Sequence, residues 1–96
     1  MRSTTSRVTT TLANFLFVSQ APVAEFATNP ARTRELIHET SDRLGPNGAA
    51  AAVAAVAYEY GEHPETAAAR IRSCLQAVEA AGFQNFVPGP RLAVTR

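Results

Sequence analysis

An uncharged run of small residues in the middle of the chain limits the fold more than any other feature. Positions 49–57 read AAAAVAAVA. Alanine has the highest helix propensity of all residues and adds little apolar area, so this run predicts a helix that approaches its neighbours closely rather than one that builds a bulky core. The larger residues Val53, Val56 and Tyr60 lie three and four positions apart, which is helical spacing.

Proline and glycine mark the ends of the other predicted helices. Asn29 is an N-cap residue followed by proline, and Gly45, also followed by proline, stops the same helix. Pro64 begins the last helix, which Gly82 closes. Between the alanine-rich helix and Pro64, we expect Gly61 to turn the chain in a left-handed conformation.

The amino-terminal part is predicted as a loose basic tail over 1–7 and an apolar segment over 8–28. Val8, Leu12 and Phe15 fall on one helical face, so helix is preferred over strand, although three consecutive threonines weaken the assignment. A helix that is apolar nearly all round needs burial on two sides, either across the two-fold axis of a homodimer or against its own domain. The homodimer hypothesis assigns the interface to Leu12, Phe15, Leu16 and Phe17.

The pattern changes after Gly82. Two short apolar runs, FQNFV and RLAVT, flank the sequence PGP, which is typical of a β-hairpin over 83–96. The predicted fold is therefore mainly α: one compact domain over 8–96, with about four helices, a helical core over 30–82, a helix-turn-helix-like corner and a carboxy-terminal hairpin.

Composition argues for a small intracellular domain without a strong charge. Nine arginines and no lysine stand against eight acidic residues, for a formal net charge of +1. Because DNA-binding domains usually carry a clearly basic surface, the overall charge gives no evidence for nucleic acid. The single cysteine, Cys74, excludes an internal disulfide framework and fits a reducing cytoplasm. The amino-terminal apolar stretch is too short to span a membrane.

No residue pattern indicates catalysis or metal binding. His38, His63 and Cys74 lack the spacing of a zinc site and lie on different predicted elements. Glu35 and Glu39 have no accompanying nucleophile or glycine loop, and carboxylates on a solvated helix face are common. We therefore expect no enzyme activity, no metal and no cofactor.

Ala57, Gly61 and the helix from Pro64 reproduce the centre of a helix-turn-helix, and the ending VEAAGFQNFVPGPRLAVTR follows as a stop and a wing would. Over about 32–96 the chain resembles winged helix-turn-helix DNA-binding domains of bacterial transcriptional regulators. The resemblance implies that the outward face of the last helix enters the major groove and that the wing contacts phosphate. The implied DNA-binding residues are Thr66, Ala69, Arg70, Arg72, Ser73, Gln76 and Arg91.

Two functions follow as expectations. The first is a small DNA-binding regulator of winged-helix type that acts as a dimer on duplex DNA. The alternative is a bacterial or phage interaction or assembly factor, which binds a protein partner through its apolar amino-terminal helix or its alanine-rich faces and binds no nucleic acid. In that case Arg70 and Arg72 only solvate the outer side of their helix.

Overall fold

The structure, a computed structural model, describes residues 7–82, and these residues are helical nearly throughout. A single 3-10 turn, Gly45–Asn47, joins the third helix to the fourth. The α-helices are α1 (Arg7–Val18), α2 (Val23–Phe26), α3 (Pro30–Leu44), α4 (Gly48–Glu62) and α5 (Pro64–Ala80).

Helix α1 is the centre of the fold. It packs against α3, α4 and α5, and Ala13 and Leu16 are completely buried. Phe15 and Phe17 are buried as well, while Leu12 packs partly buried against the core. The prediction of a helix here is confirmed, and its apolar character on several sides is satisfied by three helices of the same chain. The burial that had suggested a second copy at this helix is therefore supplied within one chain.

The predicted caps of α3 and α5 are confirmed. The Asn29 side chain accepts a hydrogen bond from the backbone N–H of Arg32 at 3.1 Å, which satisfies one of the unpaired donors of the first turn. Gly45 follows α3 with φ of 79° and Gly82 follows α5 with φ of 85°. Only glycine adopts this left-handed conformation without a steric penalty, so both helices end where the sequence predicts.

The corner between α4 and α5 differs from the prediction. Gly61 lies inside α4, which continues to Glu62, and it has no positive φ. The expected left-handed turn at this glycine is wrong. The chain turns instead at His63, with φ of −143° and ψ of 67°, because a residue before proline is sterically excluded from the helical conformation. The corner is thus set by Pro64 and not by glycine.

The predicted fold class is also wrong, because residues 7–82 contain no strand and form an all-α fold. The helices supply the buried core by packing around α1, and their apolar residues follow helical spacing. The segment that was assigned to the hairpin, 83–96, lies outside the described residues.

Candidate interaction surface

Helical spacing predicts that the apolar stripe of α5 is Ala67, Ile71, Leu75 and Val78, and the inward side of the helix is rotated away from part of this stripe. Ile71 and Leu75 are only partly buried. The side chains that α5 buries are Ala67, Cys74, Ala77 and Val78. Small residues on this side let α1 approach closely, and the rotation turns Arg70, three positions after Ala67, toward the end of α1.

Arg70 closes the carboxyl end of α1. Its Nη1 donates to the Ala21 carbonyl at 2.8 Å and its Nη2 donates to the Phe17 carbonyl at 2.9 Å. Longer bonds run from Nε to the same Phe17 carbonyl at 3.3 Å and from Nη2 to the Leu16 carbonyl at 3.4 Å. The guanidinium also lies over the Phe17 ring, 5.3 Å from its centroid. The Leu16 and Phe17 carbonyls also accept hydrogen bonds from Ser19 and Gln20, so Arg70 adds a charged donor to them, and its positive charge opposes the negative dipole end of α1.

The residues predicted to read DNA do not form one exposed basic face. Thr66, Ala69, Arg72 and Gln76 are exposed, whereas Ser73 and Arg70 are half-buried. Arg70 and Arg72 point to different sides of α5, and exposed Glu65 and Glu79 lie near the two ends of the same helix. Arg91 lies outside the described residues.

The charge of the helical body is slightly negative. All eight acidic residues fall within 7–82, but Arg2, Arg91 and Arg96 do not, which leaves six arginines and a net charge of −2 for this part of the chain. Within the helical body, Arg34 donates from Nη2 to the Ala81 carbonyl at the end of α5. Two of the six arginines, Arg34 and Arg70, therefore bind helix ends.

Arg32 joins α2 to α3 through acidic side chains. Its Nε lies 2.6 Å from Glu25 Oε2, and its Nη1 lies 2.5 Å from Glu35 Oε1 and 3.9 Å from Glu39 Oε2. Hydrogen bonds to Glu25 and then Glu35 raise the pKa of Arg32 above its ordinary value. Because these groups are solvated, the network orients side chains but contributes little to stability.

Cys74 is completely buried, and its thiol is unreactive near neutral pH. Burial raises the pKa of its thiol to about 11, while the charge of Arg70 acts in the opposite direction. The thiolate is the reactive form, so a thiol with this pKa is not a nucleophile near neutral pH. Cys74 is a core residue.

The outer side of α4 is apolar and exposed. Val53, Tyr58 and Tyr60 expose 55%, 65% and 40% of their surface, and positions 44–58 contain no charged residue. Helical spacing groups Val53, Val56 and Tyr60 together, but of these three residues only Val56 is buried. We call the exposed surface the α4 face, and it consists of Ala50, Val53, Ala54, Ala57, Tyr58 and Gly61.

Contact with a protein partner through alanine-rich faces is the alternative that the sequence leaves open, and this surface is one such face. A helix needs to bury only one side, and the alanine run carries no charge on any side. Whichever side of such a helix faces solvent is therefore apolar.

A groove adjoins the α4 face, between α4, α5 and the end of α1. Its volume is about 500 Å³, and Tyr58 belongs both to the groove and to the face. The groove is lined by Phe17, Val18, Gln20, Ala55, Tyr58, Glu59, Thr66, Ala67 and Arg70. The polar groups of Glu59, Thr66 and Arg70 thus stand beside an apolar surface.

No protein-family model, curated protein or solved structure matches the chain. Across residues 7–82, no three His, Cys, Asp or Glu side chains come together as a set that could hold a metal ion. None of the helices in that range has both the length and the apolar character needed to cross a bilayer.

Proposed function

We propose that this protein is a non-enzymatic helical interaction factor that binds an apolar protein surface through the α4 face and the adjoining groove. One observation carries the proposal: Val53 and Tyr58 are exposed by more than half on a helix side that has no charge. Exposed apolar patches larger than a few hundred Å² mark interaction sites, and the α4 face, on the order of 220 Å² before its flanking side chains are counted, lies at the lower end of that range.

The residues of the α4 face suit a protein partner. Burial of a side chain such as Val53 is worth about 1.5–3 kcal/mol relative to exposure, and Tyr58 adds a large ring whose hydroxyl can stay at a wet rim. Ala54 and Ala57 between them are small enough for a partner helix to approach to about 8 Å between axes. The alternative function of the sequence analysis is thus supported by a specific surface.

Duplex DNA as the ligand stays a prediction from the sequence resemblance. Affinity for DNA comes largely from arginine and lysine contacts to phosphate. On α5, Arg70 is bound to carbonyls of α1, which leaves Arg72 beside Thr66 and Gln76 on the exposed side. The net charge of −2 on the helical body also opposes binding to a polyanion.

Site-specific photo-crosslinking tests the proposed function. A photo-reactive amino acid is placed at Val53, and at exposed Glu39 on α3 as a control, in the full chain produced in its native cells. We expect discrete protein adducts from position 53, with a yield that falls at least several-fold when Ala57→Arg is added. Adducts of equal yield from both positions, or none from position 53, would contradict the proposal.

A further inference from the structure

We propose that the partner of the α4 face is a second copy of this chain, with the two α4 helices packed antiparallel about a two-fold axis near Ala54 and Ala57. This inference rests on the proposed function and names the occupant of the same surface.

The distribution of charge selects α4 for contact between identical chains. A two-fold axis brings one surface against itself, so a charge near the axis meets a like charge. Helix α3 exposes Glu35, Glu39 and Asp42, and α5 exposes charged residues along its length. None of the six residues of the α4 face is charged, and exposed Glu62 borders the face only at its carboxyl end. Helix α1 is also uncharged after Arg7, but it packs against three other helices. The α4 face is thus an exposed helix surface that meets its own copy without repulsion near the axis.

The acidic residue at the carboxyl end of α4 and the helix dipole favour the antiparallel orientation. Exposed Glu62 lies at the carboxyl end, whereas exposed Asp42 and Arg43, which precede the amino end, offset each other in charge. Antiparallel packing places the two Glu62 side chains at opposite ends of the pair, and it also opposes the two helix dipoles. Parallel packing would bring the two Glu62 carboxylates together.

The spacing of the small residues fits a helix seam. Ala50, Ala54, Ala57 and Gly61 lie four, three and four positions apart, which is the spacing of a seam between two packed helices. Val53 and Tyr58 flank this seam on opposite sides and remain exposed in the single chain. In a pair they cover the small residues of the other copy, so the large exposed side chains and the small ones are complementary.

The size of the face predicts a weak dimer. A helix of 15 residues is about 22 Å long and about 10 Å wide, so its footprint is on the order of 220 Å². Even with flanking side chains this stays below the roughly 800 Å² per partner of a stable interface. We therefore expect a weak, reversible dimer that dissociates on dilution.

Sedimentation equilibrium of the full 96-residue chain tests the second copy. We expect monomer near about 1 µM and mainly dimer near about 1 mM. Ala57→Arg should raise the dissociation constant at least tenfold, because it places two arginines beside the axis. Ala69→Arg, the same change at an exposed alanine of α5, is the matched control and should leave it unchanged. A chain that stays monomeric, or an equal effect of both variants, overturns the inference.

Engineered cysteines test the orientation. Chains with Ala50→Cys and chains with Gly61→Cys are mixed under mild oxidation; Gly61 has no atom within 4 Å of an added Cβ. Antiparallel packing predicts the disulfide between position 50 of one chain and position 61 of the other, and buried Cys74 does not compete. Predominant pairing of each variant with itself overturns the antiparallel arrangement.

The two proposals fail in different ways. A chain that is monomeric at all concentrations, yet gives adducts with another protein from position 53, disproves the second copy and leaves the proposed function standing. Absence of both self-association and adducts disproves both.

Discussion

The guanidinium of Arg70 on α5 binds the backbone carbonyl of Phe17 at the end of α1, with Nη2 2.9 Å from the oxygen, and lies 5.3 Å from the centroid of the Phe17 ring. These residues are 53 positions apart in the chain. A residue predicted to contact DNA therefore holds α5 against the end of α1.

Removal of this contact should destabilise the protein. Arg70→Ala leaves the carbonyls of Phe17 and Ala21 without their charged donor, and hydrogen bonds to charged groups are worth about 1.5–3 kcal/mol. We expect the free energy of unfolding, measured in urea by circular dichroism, to fall by about 2 kcal/mol. Arg72→Ala, two positions away and exposed, is the control and should change it by less than about 0.5 kcal/mol. Equal effects would show that Arg70 has no such role.

The two glycines of α4 should respond oppositely to alanine. Gly61 has helical backbone and open space, so Gly61→Ala should stabilise by about 0.5–1 kcal/mol through helix propensity. At Gly48 an added Cβ would lie 3.1 Å from Leu44 Cβ and 3.4 Å from Phe15 Cε1, so Gly48→Ala should destabilise by roughly 1 kcal/mol through overpacking. Thermal unfolding of both variants measures this. A loss of stability in Gly61→Ala would indicate the left-handed turn that the sequence had suggested.

Local signals explain which parts of the fold the sequence predicts. The cap at Asn29 and the stops at Gly45 and Gly82 depend on the conformational preferences of a few adjacent residues. The corner at His63 depends on an equally local effect, the restriction that Pro64 places on its predecessor. Glycine permits a turn but does not require one, whereas proline restricts its predecessor, so the chain turns at His63, two positions after Gly61.

Long-range packing explains what the sequence did not predict. The side of α5 that faces inward is set by close contact with α1, and small residues such as Ala67 and Ala77 permit it without an apolar stripe of large residues. A periodicity that weights residues by size therefore selects Ile71 and Leu75 and leaves Arg70 on the outside. For the same reason the sequence indicates alanine-rich faces as a contact surface without deciding which side of α4 is exposed, since alanines can face either way.

Burial of Cys74 should make stability depend on alkaline pH. Its pKa is raised to about 11 in the folded protein from an ordinary value of 9.0, so the folded state retains the proton over this interval. The free energy of unfolding keeps its full value below pH 9. It falls by about 2–3 kcal/mol as the pH rises through 11, because the unfolded chain loses the thiol proton first. Urea unfolding between pH 8 and pH 11 measures the loss. Cys74→Ala, which removes the titrating group, should show a smaller dependence, and an identical slope in both proteins would contradict this assignment.

The salt dependence of DNA binding separates the two functions that the sequence left open. The logarithm of the binding constant falls with the logarithm of the salt concentration by about 0.9 for each phosphate neutralised. Because Arg70 binds carbonyls and the helical body carries a net charge of −2, we expect weak binding to duplex DNA with a slope no steeper than about −2. Fluorescence anisotropy with a labelled duplex across a salt series measures this slope, and Arg72→Ala should abolish most of the residual DNA binding.

Reading of the major groove by α5, with support from further arginines, requires several phosphate contacts. A slope steeper than about −4 would therefore restore the winged-helix interpretation and place the α4 face in a secondary role.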